Sequence, residues 1–309
     1  MEYRQLGRTG MQVSVLALGG HEYHPDGSLR GFTDDPQGAV RPGFAMPGFG
    51  GEARQALVRQ ARDAGINYFD ATIDPEIEAL GRNLAQIDRT AHALVQCRPQ
   101  GMCYAYDPGN AALLDLPRIR AEVVRLAALA ARPSIDILNF GFEAEALATP
   151  DYLERLTNVI AALKEERLIR FAACDSLRSG NGHYLRMMRA GCFDLVWMNF
   201  GPLCASPEDE LLPAARELGV GVVAREAFAK GALFRVARAV DPALEPAAVA
   251  RMAIRWILGH SEIASLAIGV RNSTELLADI EAASAPCDEN DVALLERLRS
   301  HEAFAAASV

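Results

Sequence analysis

The sequence predicts an α/β protein, a single (β/α)8 barrel over residues 1–309, and three observations carry that expectation. Eight short apolar or β-branched runs recur along the chain, at residues 15–18, 66–69, 93–96, 135–138, 168–173, 193–198, 220–224 and 265–268. Segments of helical period separate them. The turn after the first run, Gly19-Gly20-His21, opens into polar loop and not into a GxGxxG helix start, which argues against an open doubly wound sheet.

The first run leads into residues 21–51, a Gly-, Pro- and Asp-rich loop too long to be a passive connection. Residues 53–64 then place Leu57, Ala61 and Ala64 on one helical face, and residues 119–130 do so with Ile119, Val123, Leu126 and Ala130. Helical period continues through 152–166, 208–218, 247–258 and 274–283, with shorter segments at 76–86 and 182–190. Asp115 ahead of Leu116-Pro117, and Thr149-Pro150-Asp151, have the residue types that start helices. Gly65, Gly191 and Gly219 stand where a helix hands over to a strand. A second long connection, residues 98–115, follows the third strand. Both long loops leave carboxyl ends of strands, the face on which barrel active sites are built.

Composition narrows the function classes. Half the residues are hydrophobic and 23% are charged, which fits a globular core and excludes disorder. No run approaches the ~18 uncharged apolar residues of a membrane span, and the first residues lack the apolar core of a secretory signal, so the expected location is cytoplasmic, with no membrane contact. A net charge of −9 without a basic patch argues against nucleic acid. The 6 cysteines form no CxxC pair and read as reduced thiols.

Sequence blocks narrow it further. Glu2-Tyr3-Arg4-Gln5-Leu6-Gly7-Arg8-Thr9-Gly10, Leu16-Ala17-Leu18-Gly19-Gly20, Ala64-Gly65-Ile66-Asn67-Tyr68-Phe69-Asp70 and Glu78-Ala79-Leu80-Gly81 occur in that order. Leu163-Lys164-Glu165-Glu166, Glu210-Leu211-Leu212-Pro213, Gly219-Val220-Gly221-Val222 and Gly269-Val270-Arg271-Asn272 continue them. Together they resemble the aldo-keto reductase family nearly end to end. The resemblance implies a (β/α)8 TIM barrel with an N-terminal β-hairpin closing its bottom, and NADPH-dependent carbonyl reduction by an Asp, Tyr, Lys and His tetrad.

Carried over residue by residue, only the aspartate of that tetrad is kept, as Asp70. The tyrosine position falls on Pro75, the histidine on Gly141 and the lysine on Cys97, with Arg98 one residue further on. Arginine holds its proton at neutral pH and cannot pass one on. The cofactor contacts are altered too. Asp175-Ser176 and Trp197 stand where the family holds the nicotinamide amide, Arg225 where an aromatic ring stacks, and Glu226 where a serine meets the pyrophosphate. A carboxylate there repels a phosphate unless a cation intervenes. Gly269 and Arg271 match the adenosine-phosphate site, but Glu275 and Asp279 replace its usual amides or Arg.

The residues expected at the strand ends are His21, Asp70, Asp74, Cys97, Glu143, Asp175, Trp197, Asn199, Arg225 and Glu226. Of these, Asp70, His21, Cys97, Glu143 and Arg225 are the candidate catalytic residues, with Asp70 and His21 read as a general acid/base pair. Tyr23, Phe44, Phe49, Tyr104 and Trp197 are expected to line the pocket, and residues 175–182 resemble an anion-cradling turn. His21-Glu22-Tyr23-His24 has metal-ligand residue types without metal-ligand spacing, so no metal is assigned. The expected function is a redox-neutral acid/base reaction on a small molecule: isomerisation, elimination or hydrolysis. One alternative is a divergent NADPH-dependent oxidoreductase holding its cofactor through Gly269 and Arg271. The other is a non-catalytic pseudoenzyme that binds a protein partner.

Overall fold

The computed structural model describes residues 1–87, 93–176 and 180–308. An antiparallel hairpin opens the chain, β1 (Tyr3–Gln5) against β2 (Gln12–Ser14), with Tyr3 opposite Ser14 and Gln5 opposite Gln12. Eight parallel strands follow: β3 (Leu16–Gly19), β4 (Tyr68–Ala71), β5 (Leu94–Cys97), β6 (Ile135–Phe142), β7 (Ile169–Ser176), β8 (Leu195–Asn199), β9 (Gly221–Arg225) and β10 (Ile263–Ile268). They close into one barrel, in which β10 pairs with both β3 and β9.

Each apolar run of the sequence is thus a strand. β6 runs four residues past its apolar segment because Asn139 to Phe142 still pair with β7, Gly141 lying opposite Asp175. Strand periodicity sorts the side chains into two layers. Ala17, Tyr68, Leu94, Ile137, Ala173, Leu195, Trp197 and Val223 point inward, and Leu6 and Val13 of the hairpin plug the amino-terminal end beneath them. Leu18, Phe69, Val95, Leu138 and Val196 point outward into the layer shared with the helices.

Three helices bear on the site: α1 (Glu52–Asp63), α2 (Asp74–Ile87) and α3 (Leu116–Leu129). The Asp115 side chain accepts the Arg118 N–H at 3.2 Å and caps α3 as its position implied. Asp151 precedes the helix Tyr152–Glu165 but makes no side-chain cap bond. Helices Ala232–Val240, Glu289–Arg299 and Glu302–Ala307 were not legible as periodic segments; they pack on one another in a separate apolar cluster around Leu233, Leu298 and Phe304.

The 21–51 loop is ordered by its own contacts. Ala39, Val40 and Phe49 form a small core with Ile73 and Ala79, and the Arg30 guanidinium stacks 4.4 Å above the Phe49 ring while pairing with Glu22 at 2.6 Å. The loop therefore packs against the start of α2. No helix among the described residues is long and apolar enough to cross a membrane.

Candidate active site

At the carboxyl ends of the strands, inward alternation changes from apolar to polar. Asp70 lies one residue before the end of β4, Arg98 follows β5, and Asp175, Trp197 and Arg225 rise from β7, β8 and β9. Asp70, Arg98, Trp197 and Arg225 line a cavity of about 520 Å³ with Asp175 buried beneath, while His21, Tyr23, Leu29 and Phe32 of the long loop and Phe228 beyond β9 form its walls. A volume of this size suits a small molecule.

The floor is a closed network of charge. Arg98 Nη1 donates to both oxygens of Asp70 at 2.8 and 3.1 Å and to Thr72 Oγ1 at 3.0 Å. Its Nη2 reaches Asp175 Oδ2 at 3.4 Å and its Nε donates to Tyr104 Oη at 3.3 Å. Tyr104 in turn donates to Asp175 Oδ2 at 2.7 Å, and Arg225 grips both Asp175 oxygens at 2.9 and 2.7 Å while its Nε holds Asn199. Asp70 is also held from below: Trp197 donates to Tyr68, Tyr68 to Gln96, and Gln96 to Asp70 at 2.7 Å. Burial works against the charge on Arg98, but Asp70, Tyr104 and Asp175 outweigh it and keep the guanidinium protonated. Tyr104 keeps its phenol proton because burial, then Asp175, opposes the phenolate.

The wall carries a different pair. His21 Nδ1 lies 2.7 Å from Glu76 Oε1, and Glu76 Oε2 accepts the Thr72 N–H at 2.8 Å at the start of α2. Glu76 is fully buried, whereas the His21 side chain is 33% exposed and borders the cavity. Burial alone would lower the His21 pKa, but the charge and hydrogen bond of Glu76 raise it above the usual 6.5. Burial likewise pushes Glu76 up, and His21 with the Thr72 and Ile73 amides pulls it below 4.5. The second ring nitrogen of His21 has no hydrogen-bond partner among the described residues.

Several expected placements change. His21 and Asp70 share the cavity but are not hydrogen-bonded to each other; each has its own counter-ion, Glu76 and Arg98. Cys97 points outward into the helix layer, since Gln96 and Arg98 hold the inward parity of β5, and burial raises its thiol pKa. Arg98, one residue past the position the resemblance gave to the lysine, is the cation paired with Asp70. Glu143 precedes the short helix Ala144–Ala148 and does not line the cavity. Asp74 lies outside it too, paired with Arg125 at 2.6 Å. Gly269 borders the cavity, but Arg271 is exposed and closes on Glu275. Phe44 and Phe49 belong to the loop's own core; Tyr23, Tyr104 and Trp197 line the pocket. The anion-cradling turn proposed for residues 175–182 includes 177–179, which lie outside the described residues. Among those described, no group of three or more His, Cys, Asp or Glu is arranged to hold a metal.

No family model matches the chain, and no curated protein does. Among solved structures it is similar to an aldo-keto reductase from Bacillus halodurans. The holo form superposes with a TM-score of 0.68 at 18% identity over 96% of both chains. The apo form gives 0.67 at 17% identity, again over 96% of both. The fold is that of an aldo-keto reductase. At this identity the likeness establishes the architecture and leaves the chemistry to this chain's own residues.

On that aldo-keto reductase architecture, sequence reasoning missed Glu76 as a site residue, and it expected Tyr104 only as a pocket-lining ring and not as a partner of Asp175 and Arg98. Glu76 looked like an ordinary first-turn acid of a helix, and only the path of the 21–51 loop brings His21 to it. Tyr104 sits at φ +51, an uncommon conformation for a bulky residue, and its ring lies where a Cβ on Gly141 would be, 2.5 Å from the nearest ring carbon. The absence of a side chain at Gly141 is therefore what admits this tyrosine.

Proposed function

We propose that this protein is a redox-neutral acid/base enzyme acting on a small, partly apolar molecule, with His21 as the proton carrier and Glu76 as the carboxylate that orients it. The observation that carries this reading is the His21–Glu76 hydrogen bond at 2.7 Å, which leaves the other ring nitrogen unpartnered at a cavity. Nucleophile and base sites in general show such an imidazole held by a third group. In its neutral form His21 takes a proton from a substrate carbon or oxygen and returns it to a second atom or to a leaving group. Isomerisation and elimination balance in this way without a hydride carrier. Phe32, Phe228 and Trp197 exclude water, and the Arg98 and Arg225 guanidiniums lie where they can orient a carbonyl or carboxylate through the field they set up.

The groups that would meet NADPH do not fit it. Arg271 donates through Nε and Nη2 to Glu275, whose second oxygen takes the Arg271 N–H at 2.8 Å. The Tyr23 hydroxyl lies against Gly269, and Asp279 is a buried carboxyl whose pKa burial and Glu275 push up to about 7. Arg225 is committed to Asp175. The proposed reaction accordingly uses no dinucleotide.

Calorimetric titration with NADPH and NADH, read also through Trp197 and Trp256 fluorescence, tests the first half; no saturation at millimolar cofactor is expected. A screen of keto, hydroxy and unsaturated small molecules in D2O tests the second by NMR. Deuterium uptake into one compound class, lost in His21→Ala, is expected. Micromolar NADPH binding together with NADPH-dependent carbonyl reduction would sink the proposal.

A further inference from the structure

A second cavity of about 550 Å³ lies on the outer side of the wall made by Val40, Gln100, Gly101 and Tyr106, four residues that also border the inner cavity. We propose that this outer cavity binds a small multivalent anion, of the phosphate-monoester or polycarboxylate class. It is a site separate from His21 and Asp70, which line only the inner cavity.

Two arginines at this cavity have no counter-ion among the described residues. One face of α3 supplies Arg118, Ala121, Glu122 and Arg125, positions related by three and four residues, and the long loop supplies Gln37 and Arg41 opposite. The carboxylates near this cavity are already used. Arg125 donates to Asp74 at 2.6 and 2.9 Å and to Glu122 at 2.8 Å through both Nε and Nη2. Glu122 also accepts the Gln100 N–H at 3.0 Å, and Asp74 the Gly43 N–H at 2.6 Å. Asp115 caps the backbone of α3 and does not line the cavity.

Arg41 and Arg118, in contrast, have no ion pair and no side-chain hydrogen bond among the described residues. Two guanidiniums without an ion pair therefore face one concavity, and with Arg125 set against Glu122 and Asp74 the cluster stays net positive in a chain of net charge −9. Low-dielectric walls concentrate such a field, and the nearby amino terminus of α3 adds to it with the same sign. One arginine comes from the loop and the other from the helix, so an anion with oxygens on two sides can meet both planar forks at once, as phosphates and polycarboxylates do.

Calorimetric titration of the full-length protein with inorganic phosphate and, separately, with citrate tests this. Saturable binding that weakens as salt is raised is expected for at least one of them; phosphate alone points to a monoester and citrate alone to a polycarboxylate. Arg41→Ala and Arg118→Ala should each weaken it roughly ten-fold, and the double variant should abolish it. Both side chains are exposed, and circular dichroism checks that each variant is folded. His21→Ala should bind the anion like the wild type, which separates this site from the proposed reaction. The inference fails if neither anion saturates, if the double variant binds as before, or if His21→Ala loses binding.

Discussion

Two carboxylate–cation arrangements face the inner cavity, and they differ in what they leave free. On the floor, Asp70, Arg98, Asp175, Arg225 and Tyr104 bond to one another, and the donors of Arg98 are directed at Asp70, Thr72, Tyr104 and Asp175. On the wall, Glu76 and His21 form a pair in which one imidazole nitrogen remains uncommitted. The floor is buried and balanced, so its work is to hold the strand ends in register and set a fixed field. The wall is partly open and contains an imidazole with one nitrogen free among the described residues, which fits it to move a proton. Charge density alone did not distinguish them; the accounting of hydrogen bonds does.

The largest effect should come from opening the floor. Arg98→Met leaves Asp70 and Asp175 buried, with one of their two cations removed, and should cost on the order of 3–5 kcal/mol in urea denaturation. His21→Ala removes the cation from buried Glu76 but leaves it the Thr72 and Ile73 amides, so it should cost less, about 1–3 kcal/mol. Equal losses for the two would erase the distinction between floor and wall.

Activity should follow the opposite order. In the deuterium-exchange assay His21→Ala should lower the rate by roughly 10²–10⁴-fold, the usual worth of a positioned acid or base. The pH dependence has a definite sign. Because the folded His21 pKa lies above 6.5, its ion pair with Glu76 stabilises the fold fully below that pH and loses this contribution as pH rises through the folded value. Neutral imidazole appears over the same window, so a rate limited by proton abstraction climbs there. Glu76→Gln removes the two largest raising influences and leaves burial and Arg98 against the smaller effect of Asp70, so an NMR titration of His21 should then give a lowered pKa.

Smaller effects sharpen the picture of what surrounds the two pairs. Gly141→Ala sets a methyl against the Tyr104 ring and should destabilise by about 2–3 kcal/mol, with lost Tyr104 near-ultraviolet dichroism as the local readout. Asp279→Asn should stabilise by about 1–2 kcal/mol above neutral pH and leave stability at pH 4 unchanged. The sign follows from its raised pKa: ionising a buried carboxyl costs the fold as pH climbs from 3.8 through about 7. Glu275→Gln, which breaks an exposed pair with Arg271, should change stability by no more than ~0.5 kcal/mol.

Much of this molecule was legible before folding. The eight strands were visible because strand alternation and apolar runs are local, and Asp70, His21 and Arg225 were placed at the cavity because each lies near the end of a strand. Partners were not legible. His21 and Glu76 are 55 residues apart, Arg225 and Asp175 are 50 apart, and Tyr104 reaches over Gly141 of β6 from the connection after β5. The choice between Cys97 and Arg98 shows why. They are neighbours at the end of one strand, and the residue that faces Asp70 is decided by the pleat of β5 in the closed barrel, where Asp70 lies opposite Gln96. Local periodicity determined which segments become strands, because side-chain alternation is a property of a few consecutive residues. Closure of the barrel and the packing of the long loop decided which charges meet, because an ion pair depends on where two distant backbones are brought together.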